Sequence, residues 1–286
     1  MKTISDRSIR ITVDVENISG SITDPEFARS LDPLLLELDQ TNTKATFFIV
    51  GSLARVWKKE IQSLALSGHE IALHGHTHEY LAKLGPKKFS QDLIDGKNII
   101  EDVVGQQVIG FRAPYFSLTK ESLWAPELLL ENGFKFSSSV LPAWNPQAGF
   151  PGAPRTPFLW KCGLVEFPVP TFGIGPCRLP LLGGAYLRLV PNAVFQIARL
   201  IGSNRIGEWA YCHPYDFDVD AKFEKVRDSS WVFSKLLFAR RKLMLSRIKD
   251  LSKLGANDSF QIRIENKEYL ASLSVYEYGG NSVSEK

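Results

Sequence analysis

Four of the five histidines in the chain lie within one short run, His69-Glu-Ile-Ala-Leu-His74-Gly-His76-Thr-His78. Two imidazoles spaced H-x-x-x-H, as His74 and His78 are, can converge on one cation when a helical turn or tight loop carries them. A carboxylate added to the pair makes an O/N/N set with open positions for water, the donor set of a hydrolytic metal site. Two candidates stand in Thr12-Val13-Asp14-Val15-Glu16-Asn17, where strand alternation puts Asp14 and Glu16 on one face. The ordinary alternatives are surface or structural histidines and solvated strand-end acids. His69 fits the ordinary reading, because Gly68-His69-Glu70 looks like a turn entering a strand.

Two further runs carry chemical groups. In Gly110-Phe-Arg112-Ala-Pro114-Tyr115 the arginine can pair with Asp14 and keep it ionised, and the proline fixes the loop. A backbone N–H beside that proline could face an oxyanion. In Tyr211-Cys-His213-Pro-Tyr-Asp216 a histidine follows an apolar run. Each of these two alone is more often structural: an ordinary salt bridge and a lone strand-end histidine.

The elements needed to position these groups alternate. Strands are expected over Ile9–Val15, Ala45–Val50, Glu70–Leu73, Val108–Phe111 and Phe134–Val140. Helices are expected over Pro25–Asp39, Leu53–Leu66, Phe89–Val103 and Lys120–Asn132, with Asp24 and Thr119 as caps and Gly68 and Gly133 as stops. Such alternation is the signature of parallel strands joined by crossover helices. All four chemical runs then fall at or just beyond a strand's carboxyl end, the face where α/β proteins place their sites. From Pro142 to Pro180 the rhythm breaks under repeated prolines, which exclude a long helix, with Val165–Val169 as one strand candidate. Val190–Ile201 reads as helix and Trp209–Cys212 as strand. Ser230–Leu254 is a basic amphipathic helix, and Ser259–Val275 suggests a hairpin or edge strands.

The 286 residues carry 34 Lys and Arg against 31 Asp and Glu, a net charge of +3. That balance argues against a nucleic-acid binder working through a strong basic field. Three cysteines without a C-x-x-C pair suggest neither a disulfide framework nor a zinc-thiolate site. Met1–Ser8 lacks the apolar core of a secretory signal, and no run of about 18 apolar residues appears, so a cytoplasmic protein is expected.

In combination and order, the four runs resemble those of the polysaccharide deacetylases, carbohydrate esterase family 4. Lys44-Ala-Thr-Phe-Phe-Ile and Ser67-Gly-His-Glu-Ile-Ala are similar to the family's linking segments, and the resemblance covers roughly Ile9 to Asp218. It implies a distorted (β/α) barrel of about seven strands over residues 1–228, followed by a C-terminal extension over 229–286. It also implies a divalent metal, most simply Zn²⁺, held by Glu16, His74 and His78, and removal of an N-acetyl or N-formyl group from an amino sugar. Asp14 would be general base, Arg112 its partner, the Tyr115 N–H an oxyanion donor and His213 general acid.

The first motif departs from the family's adjacent aspartates, since Val15 separates the two acids. Exchange of the Asp14 and Glu16 roles therefore stays open. The fourth motif's acidic partner for the late histidine is missing from Phe134–Val140, leaving Asp216 as a candidate.

Arg155–Pro180 and Gly183–Arg188 resemble a subgroup found among exopolysaccharide and O-antigen assembly proteins. That suggests a nucleotide- or lipid-linked surface-glycan precursor as substrate, met at the inner membrane face. Ser230–Leu254 would then either pack on the barrel or make weak peripheral contact with an anionic bilayer. The competing functions are a metal-independent, allantoinase-like cyclic amide hydrolase and a barrel that binds glycan without cutting it.

Overall fold

The computed structural model describes residues 9–17, 26–145, 147–174, 177–191, 193–194, 209–226, 230–252 and 259–279. Its main sheet is assembled from strands β1 (Arg10–Val15), β2 (Thr46–Ile49), β3 (Glu70–Leu73), β4 (Gly110–Phe111), β5 (Phe136–Ser137), β6 (Phe158–Trp160) and β7 (Val165–Glu166). A small antiparallel pair, β8 (Phe172–Ile174) and β9 (Cys177–Leu179), stands apart, and β10 (Trp209–Cys212) and β11 (Ser274–Tyr276) complete the main sheet. The spatial order is β10-β1-β2-β3-β4-β5-β7-β6-β11, parallel throughout except for the β6–β7 pair. Among the described residues the main sheet has nine strands where about seven were expected, because the second half of the chain adds β6 and β11.

Helices α1 (Glu26–Gln40), α2 (Lys58–Leu66), α3 (Leu81–Val104) and α4 (Ala125–Glu131) follow β1 to β4 in turn. Strand alternation sorts the side chains into two layers. Ile11, Val13, Phe47, Ile49, Ile71 and Leu73 join the helices in one apolar core. Phe48, Ala72, Phe136, Val165, Trp209 and Tyr211 form a second core inside the curled sheet, so the fold is an α/β distorted barrel with a filled interior.

Several elements differ from expectation. The third helix begins at Leu81 rather than Phe89, and Gly85, at φ 68°, supplies the kink ahead of Pro86. Lys120–Asn132 is a 3-10 turn over Lys120–Ser122 followed by α4. The fifth strand pairs only over Phe136–Ser137. Val190–Ile201 lies largely outside the described residues, beyond α5 (Gly184–Leu189).

Ser230–Leu254 is two helices, α6 (Trp231–Phe238) and α7 (Met244–Ser252). Arg188 explains the break. Its guanidinium occupies the carbonyls of Leu236, Leu237 and Ala239, which a continuing helix would need, and Arg240 turns left-handed at φ 54°.

Ser259–Val275 forms no hairpin: it holds helices α8 (Phe260–Glu265) and α9 (Lys267–Ser272), and its end enters the expected edge strand as β11. Ser259 caps the first through Ile262 N–H, and Asn266 caps the second through Glu268 and Tyr269. Phe260 and Ile264 are buried while Ile262 is exposed, so burial follows the i, i+4 period and not the alternation.

Candidate functional site

The site is assembled at the carboxyl ends of β1, β3, β4 and β10. Arg112, just beyond β4, is fully buried, with its guanidinium 3.9 Å from the Phe48 ring centre and 4.4 Å from Trp209. It donates to Asp14 Oδ1 at 2.5 Å, Thr12 Oγ1 at 2.9 Å and Ser138 Oγ at 3.1 Å. Burial pulls its pKa down and Asp14 opposes that pull. The carboxylate compensates the buried guanidinium charge, and both terminal nitrogens are hydrogen bonded, while Nε has no partner.

Asp14 thus faces Arg112, whereas Glu16 faces the histidines. Glu16 Oε2 lies 3.5 Å from His74 Nε2 and 2.5 Å from His78 Nε2. One oxygen and two nitrogens, all within 4.8 Å of one another, point at a common centre.

Local backbone brings the two rings together. Gly75, at φ 69°, turns the chain beyond β3, where a Cβ would stand 3.2 Å from Pro114 Cγ. His78 itself is left-handed at φ 56°, uncommon for a residue other than glycine and a feature concentrated at functional sites. The loop is tied down by Asp92 of α3. Its carboxylate accepts from His76 N–H at 2.7 Å, Thr77 N–H at 3.0 Å and Thr77 Oγ1–H at 2.6 Å.

These donors fit a divalent metal. His74 Nδ1 lies 2.9 Å from the Arg112 carbonyl, and since a carbonyl only accepts, the ring proton sits on Nδ1 and Nε2 presents its lone pair. His78 Nε2 is buried without a hydrogen bond of acceptable geometry, although Glu16 is adjacent. Imidazole nitrogens and a carboxylate oxygen are donors of the kind a divalent metal takes. Burial raises the Glu16 pKa, but His78, His74 and His213 overcome it and hold the carboxyl well below its usual range. Burial lowers His78, and Glu16 outweighs that.

His213, just beyond β10, brings its Nε2 to 3.8 Å from Glu16 Oε1. Asp216 Oδ2 lies 3.0 Å from His213 Nδ1 and accepts the His213 backbone N–H at 2.9 Å. Burial pushes the His213 pKa down, but the Asp216 hydrogen bond and charge, with Glu16 and Asp14, carry it up to about 9. Arg188 holds Asp216 in turn, at 2.8 Å and 3.2 Å from Oδ1, and both side chains are fully buried. Tyr215 stacks on His213 at 4.5 Å and donates to Glu16 Oε1 at 3.3 Å.

Tyr115 lies in the Pro114–Phe116 turn at φ 58°, its half-exposed ring stacked on Tyr80 and 4.9 Å from His78. His69 is apart from the cluster, where its Nδ1 accepts the Ala45 N–H at 3.2 Å.

The fold therefore gathers Asp14, Glu16, His74, His78, Arg112, Tyr115 and His213 around one mouth, with Asp216 as the partner of His213. Sequence reasoning missed Asp92, Arg188 and Tyr215. Asp92 left a signal, an acid on the apolar stripe of Phe89, Leu93 and Gly96. Arg188 left none, being distant in sequence from everything it holds.

Residues 2–129 match the polysaccharide deacetylase family model, and residues 138–261 match a domain of unknown function, DUF3473. The matched first part of the chain is thus similar to the polysaccharide deacetylases. A peptidoglycan deacetylase-like protein of Gibberella zeae is 34% identical over 98 residues, 34% of this chain and 28% of the relative. A peptidoglycan deacetylase of Helicobacter pylori is 28% identical over 110 residues, 38% of this chain and 36% of the relative. A peptidoglycan-N-acetylglucosamine deacetylase of Bacillus cereus is 32% identical over 95 residues, 33% and 34% of the two chains. The chain thus spans about a third of the length of these relatives. A solved Mycobacterium smegmatis structure of the polysaccharide deacetylase type shares the fold at a TM-score of 0.56 and 21% identity, over 99% of this chain and 97% of the other. His213, Asp216 and Arg188 all lie in the stretch matched by the domain of unknown function.

Proposed function

We propose that the chain is a metal-dependent N-deacylase of amino sugars, with an N-acetyl or N-formyl group of a surface-glycan precursor as substrate. The observation that carries the reading is the convergence of Glu16, His74 and His78 on one point beside the Asp14–Arg112 pair. The family match of the first half and the named activities of its relatives support it. The nucleotide- or lipid-linked precursor rests on the resemblance of Arg155–Pro180 and Gly183–Arg188 to exopolysaccharide and O-antigen assembly proteins. Three converging donors also favour this reading over a metal-independent cyclic amide hydrolase.

Zn²⁺ held by Glu16, His74 and His78 would acidify water and polarise the acyl carbonyl. Arg112 occupies Asp14 Oδ1, so Asp14 receives the water proton on Oδ2. The Tyr115 N–H, assigned through the family resemblance, donates to the developing oxyanion. His213, with Nδ1 turned to Asp216, gives the proton on Nε2 to the departing amine.

The test pairs metal analysis with acetate release from N-acetyl amino sugars and their nucleotide-linked forms. Wild-type protein is expected to carry stoichiometric metal and release acetate. His74→Ala and His78→Ala should lose both, whereas His213→Ala should keep the metal and lose about 10²–10⁴-fold in turnover. Full metal in either of the first two variants removes the ligand assignment, and undiminished turnover in the third removes the acid.

A further inference from the structure

Helix α6 is built inside out. Six of its eight residues are apolar, yet the buried one is Ser234, while Trp231 is 57% and Val232 is 70% exposed. An amphipathic helix on a protein surface normally turns its apolar side inward. Polar groups fasten this one instead. Ser234 Oγ accepts from Val226 N–H at 3.1 Å and donates to Ser230 O at 3.0 Å. Arg188 grips the carbonyls at the other end. The large side chains are left for another surface, and Phe233 and Leu236, 47% and 41% exposed, extend the patch. Phe223 packs 5.2 Å from Trp231 and is itself exposed.

The charge around the patch indicates what that surface is. Lys235 lies over the Trp231 ring at 5.6 Å, and Arg240 and Lys242 are exposed just beyond the helix. Over residues 230–254 the sequence holds seven basic residues and one acidic residue, although the whole chain is nearly neutral. A symmetric contact with a second copy would set this basic surface against itself. An anionic headgroup layer would attract it, while the aromatic and aliphatic side chains enter the boundary with the acyl chains.

We propose that α6 docks the protein peripherally on an anionic lipid bilayer. No helix among the described residues is long and apolar enough to cross a membrane, so the contact is one of lying on the surface. The proposal does not depend on the deacylase reading, and its readout is independent of turnover.

The experiment sediments the full chain with vesicles of phosphatidylglycerol and phosphatidylethanolamine, and in parallel with phosphatidylcholine vesicles. Binding is expected to the anionic vesicles, weakening at high salt, and little to the zwitterionic ones. The double variant Trp231→Ser, Phe233→Ser, checked by an unchanged melting temperature, should bind about tenfold more weakly or worse, and Lys235→Glu should also lose affinity. Absence of wild-type binding to anionic vesicles overturns the proposal, as does undiminished binding by the double variant. A wild-type dimer that the double variant dissolves, with no lipid binding by either, assigns the patch to a second copy and likewise overturns it.

Discussion

Glu16 is the residue on which the candidate site turns. It touches His74, His78, Tyr215 and the edge of His213, while Asp14, two positions earlier, is committed to Arg112. The two acids are alike in sequence, and their division of labour follows from which partner each meets. The same logic applies to His213, whose affinity for its proton is raised by Asp216 against the pull of burial. A general acid acts only while protonated, so its activity falls as pH rises through its pKa. Asp216→Asn removes the charge that favours the protonated ring. The alkaline limb of the rate profile should therefore move to lower pH and turnover should fall, with metal content unchanged. A limb that stays in place would detach Asp216 from the chemistry.

At the scale of elements, helices matter here for what they hold at a distance. α3 supplies Asp92 to the loop that carries the histidines, and α5 supplies Arg188, which joins Asp216 to the end of α6. The entry to β3 is fixed by His69, whose neutral ring accepts the Ala45 N–H. Burial, with Lys44 adding to it, lowers its pKa to about 4 from an ordinary value of 6.5. Because the folded value lies below the unfolded one, this contribution to stability is complete above about pH 6.5 and is lost as pH falls toward 4. Protonation would also turn the accepting nitrogen into a donor facing another donor. His69→Gln should therefore lessen the loss of stability between pH 6.5 and 4.5 by about 1–2 kcal/mol, measured by urea unfolding at the two pH values. Identical losses in both proteins would show that His69 does not titrate with unfolding.

For the molecule as a whole, the second half of the chain is built into the barrel. β11 pairs with β6, and α8 sends Phe260 among Phe48, Phe136, Phe167 and Trp209 in the barrel interior. The first two backbone N–H groups of α8 donate to Glu70 at the foot of β3. Phe260→Ala should cost about 3–5 kcal/mol of unfolding free energy, because an aromatic ring leaves a fully enclosed position. A loss below about 1 kcal/mol would mean that the segment unfolds separately from the barrel.

Sequence alone determined the strand–helix alternation and the set of groups at the strand ends, because both are written in local periodicity and in residue types at short spacing. It also located the basic, apolar stretch over 230–254. Tertiary structure decided which acid meets the imidazoles, how Arg188 reaches Asp216, and that Ser234 rather than Trp231 faces inward. Those outcomes depend on contacts between segments far apart along the chain. A hydrogen bond such as that of Arg188 to Leu237 is set by where the backbone passes, and the identity of residue 237 carries no trace of it.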